Sequence, residues 1–289
     1  MKKTVGFIGP GKVGCSLGRH ITEKGGDAFE VAGYYGRNGE AAKEAAALSG
    51  GRAFDTAEEL AAECGLLLLT VPDKEIAGVW DSLSESLPAR NAPLCVGHCS
   101  GSRSSGIFRP APGCHFGSVH PILAVHDRES SYKNLDGAYF TIEGGEEFKA
   151  FAGGLLTALG NPFSPIGAAE KTGYHAASVM VSNLVCALAY EGMETFKACG
   201  LNEDFAEKAW RSLFLGNAEN TASAGPVLAL TGPVERGDTE TVAKHLGVLT
   251  GGAREVYLLL SRILVETARL KNPDRDYSDL ERLLEDSSL

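Results

Sequence analysis

The sequence lacks an excess of positive charge: 27 Lys and Arg stand against 37 Asp and Glu, a formal net charge of −10. Nucleic-acid binding calls for a basic face, so no nucleic-acid partner is expected. No apolar run approaches the roughly 20 residues of a membrane helix, and no membrane partner is expected. The basic start, Met1-Lys2-Lys3, runs straight into an apolar strand rather than a leader's apolar region. The seven cysteines are odd in number, scattered, and form no Cys-x-x-Cys pair. That usage argues against a disulfide framework and fits reduced thiols in the cytoplasm. Cys95, His98, Cys99, Cys114 and His115 fall close together, but their spacing matches no standard zinc pattern, and no metal is expected. What remains is the profile of an ordinary globular protein, 44% hydrophobic and 22% charged. At 289 residues the chain is long enough for two domains, each with its own core.

The first turn is the most specific feature present. Val5 to Ile8 is apolar and runs into Gly9-Pro10-Gly11-Lys12-Val13-Gly14, a G-x-G-x-x-G sequence between a first strand and a first helix. Gly9 permits the tight turn, Gly11 lets a pyrophosphate approach the backbone, and Gly14 lets helix and strand pack closely. The free N–H groups at the start of the helix, including those of Lys12 and Val13, then face an anion. A dinucleotide site is expected there.

Strand and helix patterns alternate downstream. Strands are expected at Phe29 to Tyr35, Leu66 to Val71, Pro93 to Gly97, Gly117 to His120 and Ala138 to Ile142, and helices at Glu40 to Leu48 and Glu147 to Leu159. Leu66 to Val71 is wholly apolar, as a parallel strand buried on both faces should be. Pro72 stops it, and Asp73 is placed to cap the next helix. After Asn161-Pro-Phe-Ser-Pro165 no strand pattern remains. Helices are expected at about Ala168 to Ala198, Glu203 to Asn220, Thr239 to Leu249 and Ala253 to Leu270, followed by a charged, solvated tail helix from Asp274. The expected architecture is α/β: a Rossmann-type, doubly wound, mainly parallel sheet over residues 1–164, then an all-α domain over 165–289.

The residue that holds the adenine ribose should follow the second strand, about twenty residues beyond the glycines. The sequence there is Gly33-Tyr34-Tyr35-Gly36-Arg37-Asn38, with no carboxylate at the strand end. Arg37 is either a surface residue of a loop or the partner of a 2′-phosphate; the second reading predicts NADP(H) over NAD(H).

In a doubly wound sheet, ligands lie beyond the carboxyl ends of the strands. Val71 and Pro72 are therefore expected along the cofactor, with Ser100 and Gly101 of Gly97-His-Cys-Ser-Gly101 toward the substrate. His98 is read as a turn histidine. His120, at the end of Gly117-Ser-Val-His-Pro121, is a candidate for chemistry. Lys171 and His175 are four apart and share a helix face, which Ser178 and Ser182 extend, with Asn183 next in sequence. That stripe faces either water or a cleft. In a cleft, Lys171, His175 or His120 would donate the proton when hydride reaches a C=O or C=N carbon, with Ser182 and Asn183 toward the substrate.

Several motifs in this order carry a resemblance that runs nearly end to end. They are Gly9-Pro-Gly-Lys-Val-Gly14, Thr70-Val-Pro-Asp73, His98-Cys-Ser-Gly101, Gly117-Ser-Val-His-Pro121, Lys171-Thr-Gly-Tyr-His-Ala176, Ser182-Asn183, and Leu230-Thr-Gly-Pro-Val-Glu-Arg-Gly-Asp238. The chain resembles a family of candidate NADP oxidoreductases that pair a Rossmann-like domain with a helical domain of unknown function. More distantly it is similar to the superfamily of 6-phosphogluconate dehydrogenase, β-hydroxyacid dehydrogenases, pyrroline-5-carboxylate reductase and deazaflavin-dependent NADP reductases. Gly167, Lys171 and His175 align with the β-hydroxyacid pattern Gly-x-x-x-Lys-x-x-x-Asn, with His175 where Asn is expected. The resemblance implies hydride transfer between NADPH and a small carbonyl or imine substrate at an interdomain cleft. A homodimer formed through the helical domain is expected. A non-catalytic NADP(H)-binding regulatory protein and a flavin-partnered enzyme are the alternatives.

Overall fold

A computed structural model of the chain describes residues 2–87, 90 and 92–287. The chain forms two compact units, Met1–Val179 and Met180–Leu289. The first contains, in order, β1 (Lys3–Ile8), α1 (Lys12–Lys24), β2 (Phe29–Tyr35), α2 (Gly39–Ser49), β3 (Arg52–Ala53), α3 (Ala57–Glu63), β4 (Leu66–Leu69), α4 (Ile76–Glu85), β5 (Leu94–His98), β6 (Cys114–Pro121), β7 (Phe140–Gly144), α5 (Glu146–Leu159), β8 (Phe163–Pro165) and the start of α6 (Lys171–Met180). The strands build one sheet in the order β3-β2-β1-β4-β5-β6-β7-β8. All neighbours are parallel except β6 and β7, which are antiparallel. From β1 the chain winds outward through β2 and β3, then returns to place β4 on β1's other side, so the strand order reverses at β1/β4.

The sheet is covered on both faces, and β4 shows why its sequence is uniformly apolar. Leu66 and Leu68 pack into a core with α1, α2 and α5, whereas Leu67 and Leu69 pack into one with α3 and α4. Side chains alternate faces along a strand, so two covered faces require apolar residues at every position. Burying each leucine contributes roughly 1.5–3 kcal/mol.

Two short strands and one helix escaped the sequence patterns. β3 has only two residues, and α3 is a seven-residue helix capped by Thr56 Oγ1, which accepts from Glu59 N. β8 lies within the stretch read as the connector, and Phe163 pairs there with Phe140. Pro162 just before it and Pro165 at its end hide it from a propensity reading, yet an edge strand tolerates proline.

The second unit is helical: α7 (Asn183–Ala198), α8 (Glu203–Ala229), α9 (Pro233–Arg236), α10 (Thr239–Val248), α11 (Gly251–Lys271) and α12 (Ser278–Asp286). The helix expected across 168–198 is broken at Val181 and Ser182, between α6 and α7. The whole stretch Lys171–Ala198 is long and apolar enough to cross a membrane by length and composition, against the expectation from sequence. Its two helices have 10 and 16 residues, each shorter than the roughly 20 a span requires. α8 runs past Asn220 to Ala229 and bends at Gly225, whose φ of 80° precedes Pro226. The tail is not simply solvated. Tyr277, Leu280 and Leu284 are buried in a core with Val242, Leu246 and Val265, at a spacing that puts one apolar stripe of α12 inward.

Candidate active site

The glycine turn meets the geometric demands of a close phosphate approach. Gly9 has φ 104°, and a Cβ there would lie 2.8 Å from the backbone carbonyl of Thr70. A Cβ on Gly14 would lie 2.7 Å from Thr70 Oγ1 and 2.8 Å from Gly9 O, so α1 approaches the end of β4 too closely for any side chain. Thr70 Oγ1 donates to Gly9 O at 2.7 Å and pins the turn. Gly11 is different: it is exposed, and the nearest atom to a Cβ there, Thr70 O, is 4.0 Å away. Its φ/ψ mark it as the N-cap of α1, and no side chain caps that helix. The first-turn N–H groups, those of Lys12 and Val13 among them, are left for an external anion.

A cavity of about 720 Å³ opens from this turn. Gly9, Gly11, Arg37, Asn38, Val71 and Pro72 are among its lining residues. The glycine turn, Arg37 and the Val71-Pro72 strand end, singled out separately in the sequence, thus share one cavity. Arg37 is exposed, and the neighbouring Gly36 is required because a Cβ there would lie 2.6 Å from the Pro10 ring. An open glycine, an uncapped helix start and an exposed guanidinium fit a phosphate-bearing dinucleotide.

A second cluster forms beyond β5 and β6. Lys171, the first residue of α6, is only 1% exposed. Its Nζ donates to Ser100 O at 3.0 Å and to Ser118 Oγ at 2.7 Å. Ser118 Oγ donates to Glu143 Oε2 at 3.2 Å. Glu143, on β7 and 4% exposed, also accepts from Ser105 N at 2.8 Å and Ser105 Oγ at 2.7 Å. A buried carboxylate therefore faces a buried ammonium across one hydroxyl. Burial pulls Lys171 below the ordinary ammonium range, and the charge of Glu143 opposes that shift.

His120 Nδ1 and Tyr174 OH share a hydrogen bond of 2.7 Å. The rings of His120 and His175 meet edge to face with centroids 6.0 Å apart. Gly101 lies against both: a Cβ there would be 2.6 Å from His175 Nδ1 and 2.8 Å from His120 Nε2. His175 Nδ1 is buried without a hydrogen-bond partner. Burial lowers His120 to about 4, helped by the positive charge of Lys171, so its imidazole is neutral at neutral pH. His98, fully buried, is also lowered to about 4 by burial. Its Nδ1 accepts from Ser100 N at 3.2 Å, which makes it an organiser of the turn that carries Ser100 and Gly101.

Lys171, His175, His120, Ser100 and Gly101 therefore come together in the first unit. Ser182 and Asn183 belong to the second unit, where Ser182 Oγ donates to Asn183 Oδ1 at 3.2 Å. Because α6 ends at Met180, Ser182 does not continue the Lys171–His175 helix face. Ser178 remains on α6, its hydroxyl donating back to Tyr174 O at 3.1 Å. Asp73 does not cap α4, whose N-cap is Glu75; its Oδ2 accepts from Ser100 Oγ at 2.5 Å. Sequence reading missed Thr70, Ser118, Glu143 and Tyr174. Thr70, Ser118 and Tyr174 carried a signal, as members of the quoted motifs; Glu143 carried none. In the second unit, the segment Leu230 to Asp238 is structural: Tyr277 OH donates to Glu235 O at 2.6 Å, and Asp238 caps α10. Among the described residues no group of three or more His, Cys, Asp or Glu could hold a metal ion.

The strand order and the glycine turn define the first unit as a Rossmann-like domain, joined to a helical unit. Residues 1–126 match the profile described as "Rossmann-like domain", and residues 138–263 match "Domain of unknown function (DUF2520)". The chain thus carries a Rossmann-like match in its N-terminal part and a DUF2520 match in the part that follows. No curated protein matches the sequence. Among solved structures, protein TM1727 from Thermotoga maritima is 25% identical, with 92% of this chain and 99% of that one covered, at a TM-score of 0.70. A candidate NADP oxidoreductase from Bacteroides fragilis is 22% identical, with 92% and 98% covered and a TM-score of 0.69. A pyrroline-5-carboxylate reductase from Coxiella burnetii is 16% identical, with 94% and 99% covered and a TM-score of 0.62. At such identities the likeness is one of fold.

Proposed function

We propose that the protein is an NADP(H)-dependent oxidoreductase that transfers a hydride between NADPH and a small carbonyl or imine substrate. The observation that carries this reading is one cavity that joins an uncapped glycine turn to Arg37 and to Val71-Pro72. Gly9, Gly11, Lys12, Val13 and Gly14 would hold the pyrophosphate, and Arg37 the 2′-phosphate. The nicotinamide cofactor supplies the hydride. The residues of the chain hold the substrate near Ser100 and Gly101, and for a carbonyl they must also supply a proton. His120 with Tyr174, and His175, are the candidates nearest Gly101. Lys171, already donating to Ser100 O and Ser118 Oγ, is better suited to fixing the Ser100 turn than to giving up a proton.

The reading extends to assembly and compartment. On α7 no residue is buried, and on the 27-residue α8 only Ala206 and Ala229 are. Leu184, Leu188, Phe205, Leu213 and Leu215 are exposed there, which supports a homodimer formed through the helical domain. Seven free thiols support the reducing cytoplasm.

The test is NADPH oxidation followed across a panel of keto acids, aldehydes and cyclic imines. Turnover of at least one class is expected, and turnover of a carbonyl should be lost on replacing His120 and Tyr174 together. Tight NADPH binding with no oxidation by any member would favour a non-catalytic NADP(H)-binding regulatory protein instead.

A further inference from the structure

We infer that the substrate site selects a cation, a protonated imine or amine, with the carboxylate of Asp73 as its counter-charge. This rests on the proposed reductase reading and narrows its substrate class.

The charges of the cluster beyond β5 and β6 leave one carboxylate unmatched. Lys171 and Glu143 are both buried and joined through Ser118, so each offsets the other's charge. His98 and His120 are neutral at neutral pH, because burial holds both near 4. Burial pushes the Cys99 thiol up to about 12, so it is neutral as well. Asp73 is left. Its Oδ2 accepts from Ser100 Oγ at 2.5 Å, and Ser100 O accepts from Lys171 Nζ at 3.0 Å, which places the carboxylate within this cluster while its residue remains exposed. The basic residues closest in sequence, Lys74 and Arg103, are both exposed. Of the side chains hydrogen-bonded to Ser100, Lys171 is matched by Glu143 and His98 is neutral, so the Asp73 carboxylate carries the unmatched charge.

The chemistry closes without a protein acid. Hydride joins the carbon of the C=N⁺ bond, the π pair moves to nitrogen, and the product is an amine. NADPH is the species oxidised, and no proton is drawn from the chain. That suits a site whose one buried cation is fully engaged and whose His120 is neutral.

The experiment measures binding of matched small probes, pyrrolidine as its ammonium ion and cyclopentanecarboxylate, to the NADP⁺-loaded protein by calorimetry. Asp73→Asn is the variant, since Asn Oδ1 still accepts from Ser100 while the charge is gone. Pyrrolidinium should bind in preference to the carboxylate, and Asp73→Asn should weaken it about tenfold, the scale of one charge-assisted hydrogen bond. Equal or tighter binding of the carboxylate, indifference of pyrrolidinium to Asp73→Asn, or no binding of either probe overturns the inference. NADP⁺ loading is measured on the same samples: if it fails, the reductase reading falls; if it holds while the probes fail, only the charge selection falls.

Discussion

Lys171 and Glu143, 28 positions apart in sequence, face one another through a single hydroxyl: Lys171 Nζ donates to Ser118 Oγ at 2.7 Å, and Ser118 Oγ to Glu143 Oε2 at 3.2 Å. Both are almost wholly buried. This link ties α6 to the sheet and, through Ser100 O, sets the turn after β5.

Removing either partner leaves the other as an uncompensated buried charge. Lys171→Met and Glu143→Gln should each lower unfolding free energy by on the order of 3 kcal/mol, read by urea titration. The double variant should recover part of that loss, because neither charge then remains. Additive losses would mean that the two do not interact.

His98 and His120 set a pH dependence. Both titrate at about 4 when folded, against 6.5 as the ordinary value. Between those values the unfolded chain binds more protons, so stability is full above about 6.5 and declines as pH falls toward 4. Urea midpoints at neutral pH and at about pH 5 should differ accordingly, and His98→Asn should flatten the slope. A midpoint independent of pH across that window would contradict the two burial-driven shifts.

Gly14→Ala places a methyl 2.7 Å from Thr70 Oγ1 and 2.8 Å from Gly9 O. Backbone and a pinned hydroxyl cannot yield cheaply, so α1 must move away from β4 at a cost of about 1–3 kcal/mol. Both the melting temperature and NADPH affinity should fall. Gly39→Ala, where a Cβ meets nothing within 4 Å, is the control expected to change neither strongly.

The helical unit should self-associate in solution. Light scattering should give the mass of two chains, and Leu213→Glu on the exposed face of α8, where Leu213 is 68% exposed, should shift the protein toward one. A parent protein that is monomeric at micromolar concentration would contradict the proposed homodimer.

The cofactor turn was legible in sequence because its demands are local. Gly9, Gly11 and Gly14 fall within six residues of one another, although Thr70, far off in sequence, supplies atoms that crowd two of them, and the four leucines of β4 report burial on both faces directly. The Lys171 cluster was legible only in part. Its motifs were visible, but Glu143 falls at the end of an ordinary strand pattern, and nothing near it in sequence shows that β7 turns that carboxylate toward Ser118. The break between α6 and α7 at Val181-Ser182 interrupts an otherwise helical apolar pattern without a proline or glycine to mark it. β8 was hidden by Pro162 and Pro165, and α12 by charged residues that outnumber the two leucines it buries.

The most direct measurement is a titration of the purified protein with NADPH and with NADH, repeated for Arg37→Ala. NADPH should bind more tightly than NADH by at least about tenfold, and Arg37→Ala should remove most of that difference by weakening NADPH alone. Equal affinity for the two cofactors, or a preference that survives the loss of Arg37, would contradict the proposed NADP(H) site.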